Sequence, residues 1–433
     1  MLLALVAVAA LSPVYVVSSQ DISRLCLTRS LVQGRFTVAP CVGHEVDQAR
    51  FHGATYSDKA PGMSVLALPV AEAVGLPAPS HWHFGRDLRV WLVRILTSGV
   101  AFVFVAFALG RVSEGLARGT GGLALVTVAL ATMVGSLAAT TFDHVTAGAL
   151  GFAAFLCAWR RRPGTAGLLA GVALLVEYQS GIIVAVLAAY VAAGGWRPVL
   201  RYALGVLPGA LLLGAYDWIA FGSPLHPSYR YISNKYAAEQ ATGLFGITLP
   251  RLHSTSLVLF GDRGVLVVAP VLVAALLGLA LLARRHLLEA LTCAAIFGGF
   301  LLVTFGYFLP YGGVSPGPRF LVPAIPFLAL GLGPAFARLP AVTTALAAAS
   351  LIASTAVALT WPWESGVGYR QTVWGELVRL VSGGRSRLPH HLVSNVTTWF
   401  GLTGSQAALL VAACAASAFA IAASTLGRRS RSA

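Results

Sequence analysis

Three charged side chains stand where apolar segments meet polar ones, a place where a membrane protein can carry out chemistry. Asp21 follows the apolar run 2–17, Lys59 lies in a polar turn, and Arg319 opens a later apolar run behind a Gly/Pro-rich segment. A carboxylate can remove a proton from a hydroxyl, whereas ammonium and guanidinium groups bind phosphate. These residues predict a reaction between a hydroxyl and a phosphate-linked group at the membrane edge.

Each of the three has a structural alternative. Asp21 follows Ser-Ser-Gln and is a good helix N-cap. Lys59 could be a solvated lysine attracted to anionic headgroups, although only one other lysine, Lys235, exists in the chain. Arg319 could snorkel to the interface. The Gly/Pro-rich turn in front of Arg319 favours the phosphate role.

Further polar residues are candidate substrate contacts. Asp143 and His144 are predicted to form a turn between the third and fourth spans, where they could contact a sugar or a phosphate. They could also hold a divalent ion, but a metal usually has more ligands, and a polar turn is the alternative. The aromatic candidates could instead anchor the chain at the interface. The full set is Tyr56, Asp58, Asp143, His144, Glu177, Tyr178, His226, Tyr229 and Tyr231.

Composition excludes a water-soluble fold. Of 433 residues, 57% are hydrophobic and 10% are charged, whereas soluble domains carry roughly 25% charged residues. A membrane span needs about 20 apolar residues, so we predict an all-α membrane protein of about twelve transmembrane helices in one domain, 1–433. The predicted spans are 2–19, 90–110, 121–140, 146–159, 164–178, 180–195, 203–222, 264–283, 288–309, 319–337, 341–360 and 403–426.

Arginine positions predict the orientation. The short connections on one side are basic, as is the tail 427–433, which predicts a plasma-membrane protein with both termini in the cytoplasm. The longer loops 20–89, 223–263 and 361–402 then lie outside. The net charge of +15 is scattered over these connections, so no nucleic-acid partner is expected. Segment 2–17 lacks the positive start of a signal peptide, and we expect an uncleaved first span.

The first outer loop holds two predicted surface helices. One is amphipathic and covers 20–33, and the other covers 63–74 after Pro61. Cys26 and Cys41 share this loop, and an oxidising exterior would allow them to form a disulfide.

These features together resemble the GT-C superfamily of polytopic glycosyltransferases. A span ending at Asp21 is followed, 38 positions later, by a Tyr-Ser-Asp-Lys-Ala-Pro-Gly turn around Lys59. The closest resemblance is to the branch of lipid A aminoarabinose transferases and protein O-mannosyltransferases. It implies a GT-C-like helix arrangement, Asp21 as the acidic catalytic residue that takes the proton of the acceptor hydroxyl, and Lys59 at the lipid phosphate. The turn reads Lys-Ala-Pro where that branch has a Lys-Pro-Pro type turn.

The segments 216–218, 221–224 and 312–323 extend this resemblance along most of the chain. It implies transfer of a hexosyl or pentosyl group from a polyprenyl-phosphate donor to a cell-envelope glycan, lipid or protein on the outer face. No cofactor is implied except a possible divalent metal. The alternative is a transporter or lipid flippase, which predicts functional charges near the bilayer midplane and internal repeats. Here the polar residues cluster at predicted outer span ends.

Overall fold

A computed structural model describes residues 18–39, 41, 47–77, 87–313, 315–364, 401 and 404–429. The predicted first span, most of the predicted loop 361–402 and the last residues of the basic tail lie outside these ranges. The predictions for those segments stay predictions.

The described chain is helical apart from one small hairpin. The helices are α1 Ser19–Val32, α2 Gly62–Val74, α3 Leu88–Leu116 with a π-helical turn at Ile95–Gly99, α4 Gly121–Leu130, α5 Met133–Leu137, α6 Asp143–Trp159, α7 Pro163–Val176, α8 Gly181–Ala192, α9 Trp196–Phe221, α10 Ala237–Gln240, α11 Leu252–Phe260, α12 Val265–Val268, α13 Val271–Ala283, α14 Leu287–Gly306, α15 Ile325–Ala329, α16 Leu332–Arg338, α17 Pro340–Glu364 and α18 Gly404–Arg429. Single 3₁₀ turns cover Tyr178–Ser180, Ser228–Tyr231 and Arg319–Ala324.

Four described helices are long and apolar enough to cross a membrane, namely Leu88–Leu116, Trp196–Phe221, Leu287–Gly306 and Pro340–Ala358. Two bent helix pairs raise the number to six. The prediction of about twelve spans is therefore not confirmed by the described residues. Apolar sequence is present, but it forms short or broken helices: α6 has 17 residues and α7 has 14, fewer than the roughly 20 needed for a straight span.

The first outer loop folds into α1, the hairpin and α2. Helix α2 begins one residue before its predicted start, and α1 also lies close to its predicted position. The prediction of an amphipathic surface helix for α1 is wrong, because both polar and apolar side chains of α1 itself are buried, on most of its faces. Strands β1 Gln48–Phe51 and β2 Ala54–Ser57 pair antiparallel where the sequence indicated only a polar turn.

A disulfide joins α1 to the segment that precedes the hairpin. Cys26 and Cys41 are bonded, with their Cα atoms 5.6 Å apart. Cys26 is fully buried in a second hydrophobic cluster that also contains Val38, Ala49 and Phe221. The disulfide thus fixes the loop to α1, the helix whose first turn contains Asp21.

Helices α7 and α9 pack at very close range through glycines. A Cβ atom added to Gly167 would lie 2.0 Å from the Tyr202 carbonyl oxygen, and one added to Gly209 would lie 2.2 Å from the Gly171 carbonyl oxygen. Small residues spaced by four let helix backbones approach within a membrane. Both helices carry such a pair, Gly167 with Gly171 and Gly205 with Gly209. This contact holds the end of α7, and therefore Glu177, in place.

We predict that Gly171→Ala destabilises the protein by about 1–3 kcal/mol, because the new methyl group would lie 2.5 Å from the Val206 carbonyl oxygen. Thermal unfolding of the purified variant in detergent measures the effect. The matched control is Gly298→Ala, since an added Cβ there meets no atom within 4 Å. Equal unfolding midpoints for the two variants would contradict close packing of α7 on α9.

Candidate active site

Asp21 is completely buried in the first turn of α1, and both of its oxygens accept hydrogen bonds. Oδ2 accepts from the backbone N–H and the hydroxyl of Ser18, at 2.9 and 2.6 Å, which forms a capping box. Oδ1 accepts from the backbone N–H and the hydroxyl of Thr141, at 2.8 and 2.7 Å. The carboxylate therefore caps α1 and joins it to the segment just before α6.

Lys59 lies between two carboxylates. Its Nζ is 2.7 Å from Asp47 Oδ1 and 2.9 Å from Asp58 Oδ2. The other oxygen of Asp47 accepts a hydrogen bond from the Ser19 hydroxyl at the start of α1. The Asp58 carbonyl oxygen accepts a hydrogen bond from the Ser228 hydroxyl at 2.7 Å. The predicted phosphate-binding turn is thus fixed to both α1 and the second long loop.

Arg24, one turn after Asp21, forms the ion pair that joins α1 to α6. Its Nη2 is 2.6 Å from Asp143 Oδ2, and both side chains are buried. Its Nη1 also donates to the carbonyl oxygen of Gln20 at 3.1 Å. Asp143 is the first residue of α6, so this pair brings one of the predicted polar-turn residues next to α1.

His144 and Glu177 meet although 33 positions separate them. The Nδ1 atom of His144 lies 2.9 Å from Glu177 Oε1 and 3.5 Å from Asp143 Oδ1. Helix α6 starts at Asp143, whereas α7 ends just before Glu177, so the antiparallel packing of the two helices places these ends side by side.

Arg319 is a buried cation held by aromatic rings. Its guanidinium carbon lies 5.3 Å from the centroids of both Phe142 and Phe320. Its Nε is buried and has no hydrogen-bond partner among the described residues. Asp47 interacts electrostatically with Arg319, so Arg319 and Lys59 both face this carboxylate. The two predicted phosphate-binding cations are therefore neighbours.

Two tyrosines, Tyr178 after α7 and Tyr229 in the second long loop, border the same region. The Tyr178 hydroxyl donates to Asp217 Oδ1 at 3.2 Å, and its ring packs edge-on against Tyr229. Tyr229 interacts electrostatically with Asp143, Asp58 and Glu177. Tyr178 and Tyr229 are placed where a sugar bound near these carboxylates would contact them.

The remaining predicted contacts belong to a separate aromatic group. The Tyr231 hydroxyl is 2.9 Å from His226 Nδ1, and its ring stacks on Phe221 at 5.1 Å. Tyr56 packs against the same ring of Phe221 at 5.3 Å. These contacts fix the loop against the end of α9. His226, Tyr231 and Tyr56 therefore lie beside the ionised groups rather than among them.

The ionised groups form one electrostatically connected set, which we call the charged cluster. Asp143 interacts with Arg24 and Lys59, Arg319 with Arg24, and Arg94 with Asp21. The cluster consists of Asp21, Arg24, Asp47, Asp58, Lys59, Arg94, Asp143, Glu177 and Arg319, with His144 beside them.

Five contributors to this site were missed in the sequence, and one of them, Arg94, lies inside a predicted span. Asp47 and Arg24 are ordinary charged residues in a polar loop, and Thr141 and Tyr307 carry no charge. Tyr307 packs edge-on against Phe320 at 5.0 Å. For Arg24 a signal existed, since it lies three positions after Asp21 on a predicted helix and so shares its face.

The helix arrangement is the GT-C fold. Two solved structures share it, both of ArnT from Cupriavidus metallidurans. The apo structure is 15% identical and has a TM-score of 0.51, with 99% of this chain and 76% of that chain covered. The structure bound to undecaprenyl phosphate is 17% identical, has a TM-score of 0.53 and shows the same coverage. No known family model and no curated protein sequence matches the chain. The fold predicted from the Asp21 and Lys59 segments is thus confirmed.

Burial and neighbouring charge give different pKa values to the two carboxyl groups that bind Lys59. Burial raises the pKa of Asp58 to about 6, and Asp47 adds to the rise while Lys59 opposes it. For Asp47, burial works in the same direction, but Lys59 and the Ser19 hydroxyl outweigh it and hold its pKa below the usual value. Asp47 is therefore the ionised partner of Lys59, and Asp58 changes its protonation near pH 6.

We predict that Asp58→Asn flattens the dependence of stability on pH. A carboxyl group whose pKa is raised on folding destabilises the fold above that pKa, so the wild type gains stability as the pH falls from 7.5 to 5. The variant should lose this gain, which is about 1.4 kcal/mol. Thermal unfolding at pH 5 to 8 measures it, with Asp87→Asn as the control outside the cluster. A variant with the wild-type pH profile would contradict the prediction.

Proposed function

We propose that the chain is a membrane glycosyltransferase that takes its sugar from a polyprenyl-phosphate donor. The observation that carries the proposal is the Arg319 guanidinium, which is buried over two aromatic rings with its Nε lacking a hydrogen-bond partner among the described residues. A buried donor without an acceptor costs free energy, and a phosphate oxygen would supply that acceptor. ArnT, which has the same fold, has been solved with undecaprenyl phosphate.

The charges in the cluster match the charge that develops during the proposed transfer. As the sugar leaves the lipid phosphate, negative charge grows on the phosphate oxygens, and Arg319 and Lys59 stabilise it. The acceptor hydroxyl attacks the anomeric carbon and gives up its proton. Tyr178 and Tyr229 contact the sugar. The acceptor is a glycan, lipid or protein of the cell envelope. The charged cluster faces the outside of the plasma membrane, because the basic short connections are assigned to the cytoplasm and the long loops therefore lie outside.

Asp21 is the proposed receiver of the acceptor proton, and its geometry adds a condition to that role. Four donors from Ser18 and Thr141 already bind its two oxygens, which is about the number that a carboxylate can accept. An acceptor hydroxyl must therefore displace one of these donors. The Thr141 hydroxyl is the simplest to displace because it can rotate away while the backbone N–H bond remains.

The donor-phosphate role of Arg319 is tested by lipid binding. We expect Arg319→Gln to bind undecaprenyl phosphate about 10–100-fold more weakly than the wild type, because a charge-assisted hydrogen bond contributes about 1.5–3 kcal/mol. Native mass spectrometry of the purified protein with added lipid measures the affinity. Arg230→Gln, an exposed position in the second long loop, is the control. Equal binding by wild type and Arg319→Gln would contradict the phosphate role.

The base role of Asp21 is tested by comparing two variants. Asp21→Asn should reduce sugar transfer from membrane polyprenyl-phosphate sugars to the cell envelope by at least about 100-fold, while binding of undecaprenyl phosphate persists. Thr141→Val removes one hydroxyl bond to Asp21 and should lower stability by about 1 kcal/mol with transfer retained. If both variants lose transfer in proportion to lost stability, Asp21 has only a structural role. An active Asp21→Asn protein would refute the base assignment outright.

A further inference from the structure

Two basic connections meet where α6 ends and α14 begins, far from the charged cluster. Helix α6 starts in that cluster at Asp143 and has 17 residues, so at 1.5 Å per residue its other end lies about 25 Å away. There the ring of Trp159 packs edge-on against that of His286, with the centroids 5.4 Å apart. The connection 160–162, which follows Trp159, is therefore a neighbour of the connection 284–285, which precedes His286.

Every residue of these two connections is an exposed arginine. None of them forms an ion pair with another described residue. The carboxylate of Glu289 lies close by, but it accepts a hydrogen bond from the Tyr190 hydroxyl at 2.9 Å. Like charges held together repel one another, so this group favours a bound anion. We call it the arginine patch, and it consists of Arg160, Arg161, Arg162, Arg284 and Arg285.

Arg161 has a backbone conformation that arginine rarely adopts. Its φ is +57°, and its N–H donates to the Ala158 carbonyl oxygen while that of Arg162 donates to the Cys157 carbonyl oxygen, both at 2.9 Å. This is the Schellman arrangement that ends a helix, in which glycine is the usual residue. Arg160 and Arg162 already supply positive charge at this helix end. The strain at Arg161 therefore indicates a further role for its side chain.

Apolar surface and a helix N-terminus border the arginine patch. Leu287 and Leu291, in the first two turns of α14, expose 59% and 56% of their surface, and Trp159 is an aromatic residue of the kind that lies at headgroup depth. His286 makes no side-chain cap to the first turn of α14, so the backbone N–H groups there favour an anion. These surroundings suit an amphiphile whose chains lie along α14, rather than a free phosphate.

We propose that the arginine patch binds the headgroup of an anionic phospholipid with two phosphate groups, one held by the connection 160–162 and the other by the connection 284–285. Basic pockets between transmembrane helices bind such headgroups, and guanidinium groups form paired hydrogen bonds with phosphate oxygens. A lipid with one phosphate leaves one of the two connections without an anion, so it binds more weakly. This site lies at the other end of α6 from the charged cluster and does not depend on sugar transfer.

The test is lipid binding by the full chain, purified in detergent and freed of native lipid. Native mass spectrometry with tetraoleoyl cardiolipin should show one tightly bound lipid per chain. Its affinity should be at least about tenfold higher than that of dioleoyl phosphatidylglycerol, which has one phosphate. Sodium pyrophosphate at millimolar concentration should not displace the cardiolipin, because it has no acyl chains. Displacement by pyrophosphate, or equal affinity for the two lipids, would overturn the proposal.

Two variants and one control locate the site. Arg161→Gln and Arg285→Gln should each weaken cardiolipin binding about fivefold, which is the contribution of one arginine beside anionic headgroups. The control is Arg118→Gln, an exposed position in the connection between α3 and α4, and it should bind cardiolipin as the wild type does. All three should retain wild-type binding of undecaprenyl phosphate. An equal loss of cardiolipin binding in the control would mean that net charge accounts for the affinity, and the proposal would fail.

The variant Arg161→Gly separates lipid binding from folding. Glycine relieves the strain of the left-handed conformation, so the lipid-free variant should unfold at a temperature no lower than the wild type. Its cardiolipin affinity should nevertheless fall about fivefold, and added cardiolipin should raise its unfolding temperature less than that of the wild type. A lower lipid-free unfolding temperature together with unchanged cardiolipin affinity would show that Arg161 only ends the helix, and would overturn its assignment to the site.

Discussion

Pairing of buried charges is the constraint on which the rest of this structure depends. A charge removed from water is tolerated only when partners replace the lost solvation. Helix α1 carries Asp21 and Arg24 into the interior, and each is compensated by a residue at the start of α6, Thr141 or Asp143. The position of α1 is therefore set by these polar contacts as much as by the apolar surface that it buries.

The same constraint explains how a loop becomes rigid enough to form a site. Asp47 receives hydrogen bonds from both Ser19 and Lys59, so the start of α1 and the turn after β2 are tied through one carboxylate. The disulfide between Cys26 and Cys41 fixes the other end of the intervening segment. Close glycine packing of α7 on α9 then fixes Glu177 on the opposite side. Ordered contacts from three directions meet at the charged cluster.

Local sequence patterns predicted the parts of the fold that local physics decides. The position of α2 follows from Pro61 and the apolar run after it, and the GT-C fold was indicated by the order of Asp21 and Lys59. Contacts across the chain could not be predicted in this way. His144 and Glu177 each looked like an isolated polar residue, because only the packing of α6 on α7 brings them together. The predicted span count is not confirmed in the described residues, where apolar runs contain breaks such as the one between α4 and α5.

The charge balance of the cluster bears on how a phosphate can bind there. Its five carboxylates, Asp21, Asp47, Asp58, Asp143 and Glu177, outnumber its four cations, Arg24, Lys59, Arg94 and Arg319. Protonation of Asp58, whose pKa burial raises to about 6, removes this surplus and so favours an anionic phosphodiester beside Arg319 and Lys59.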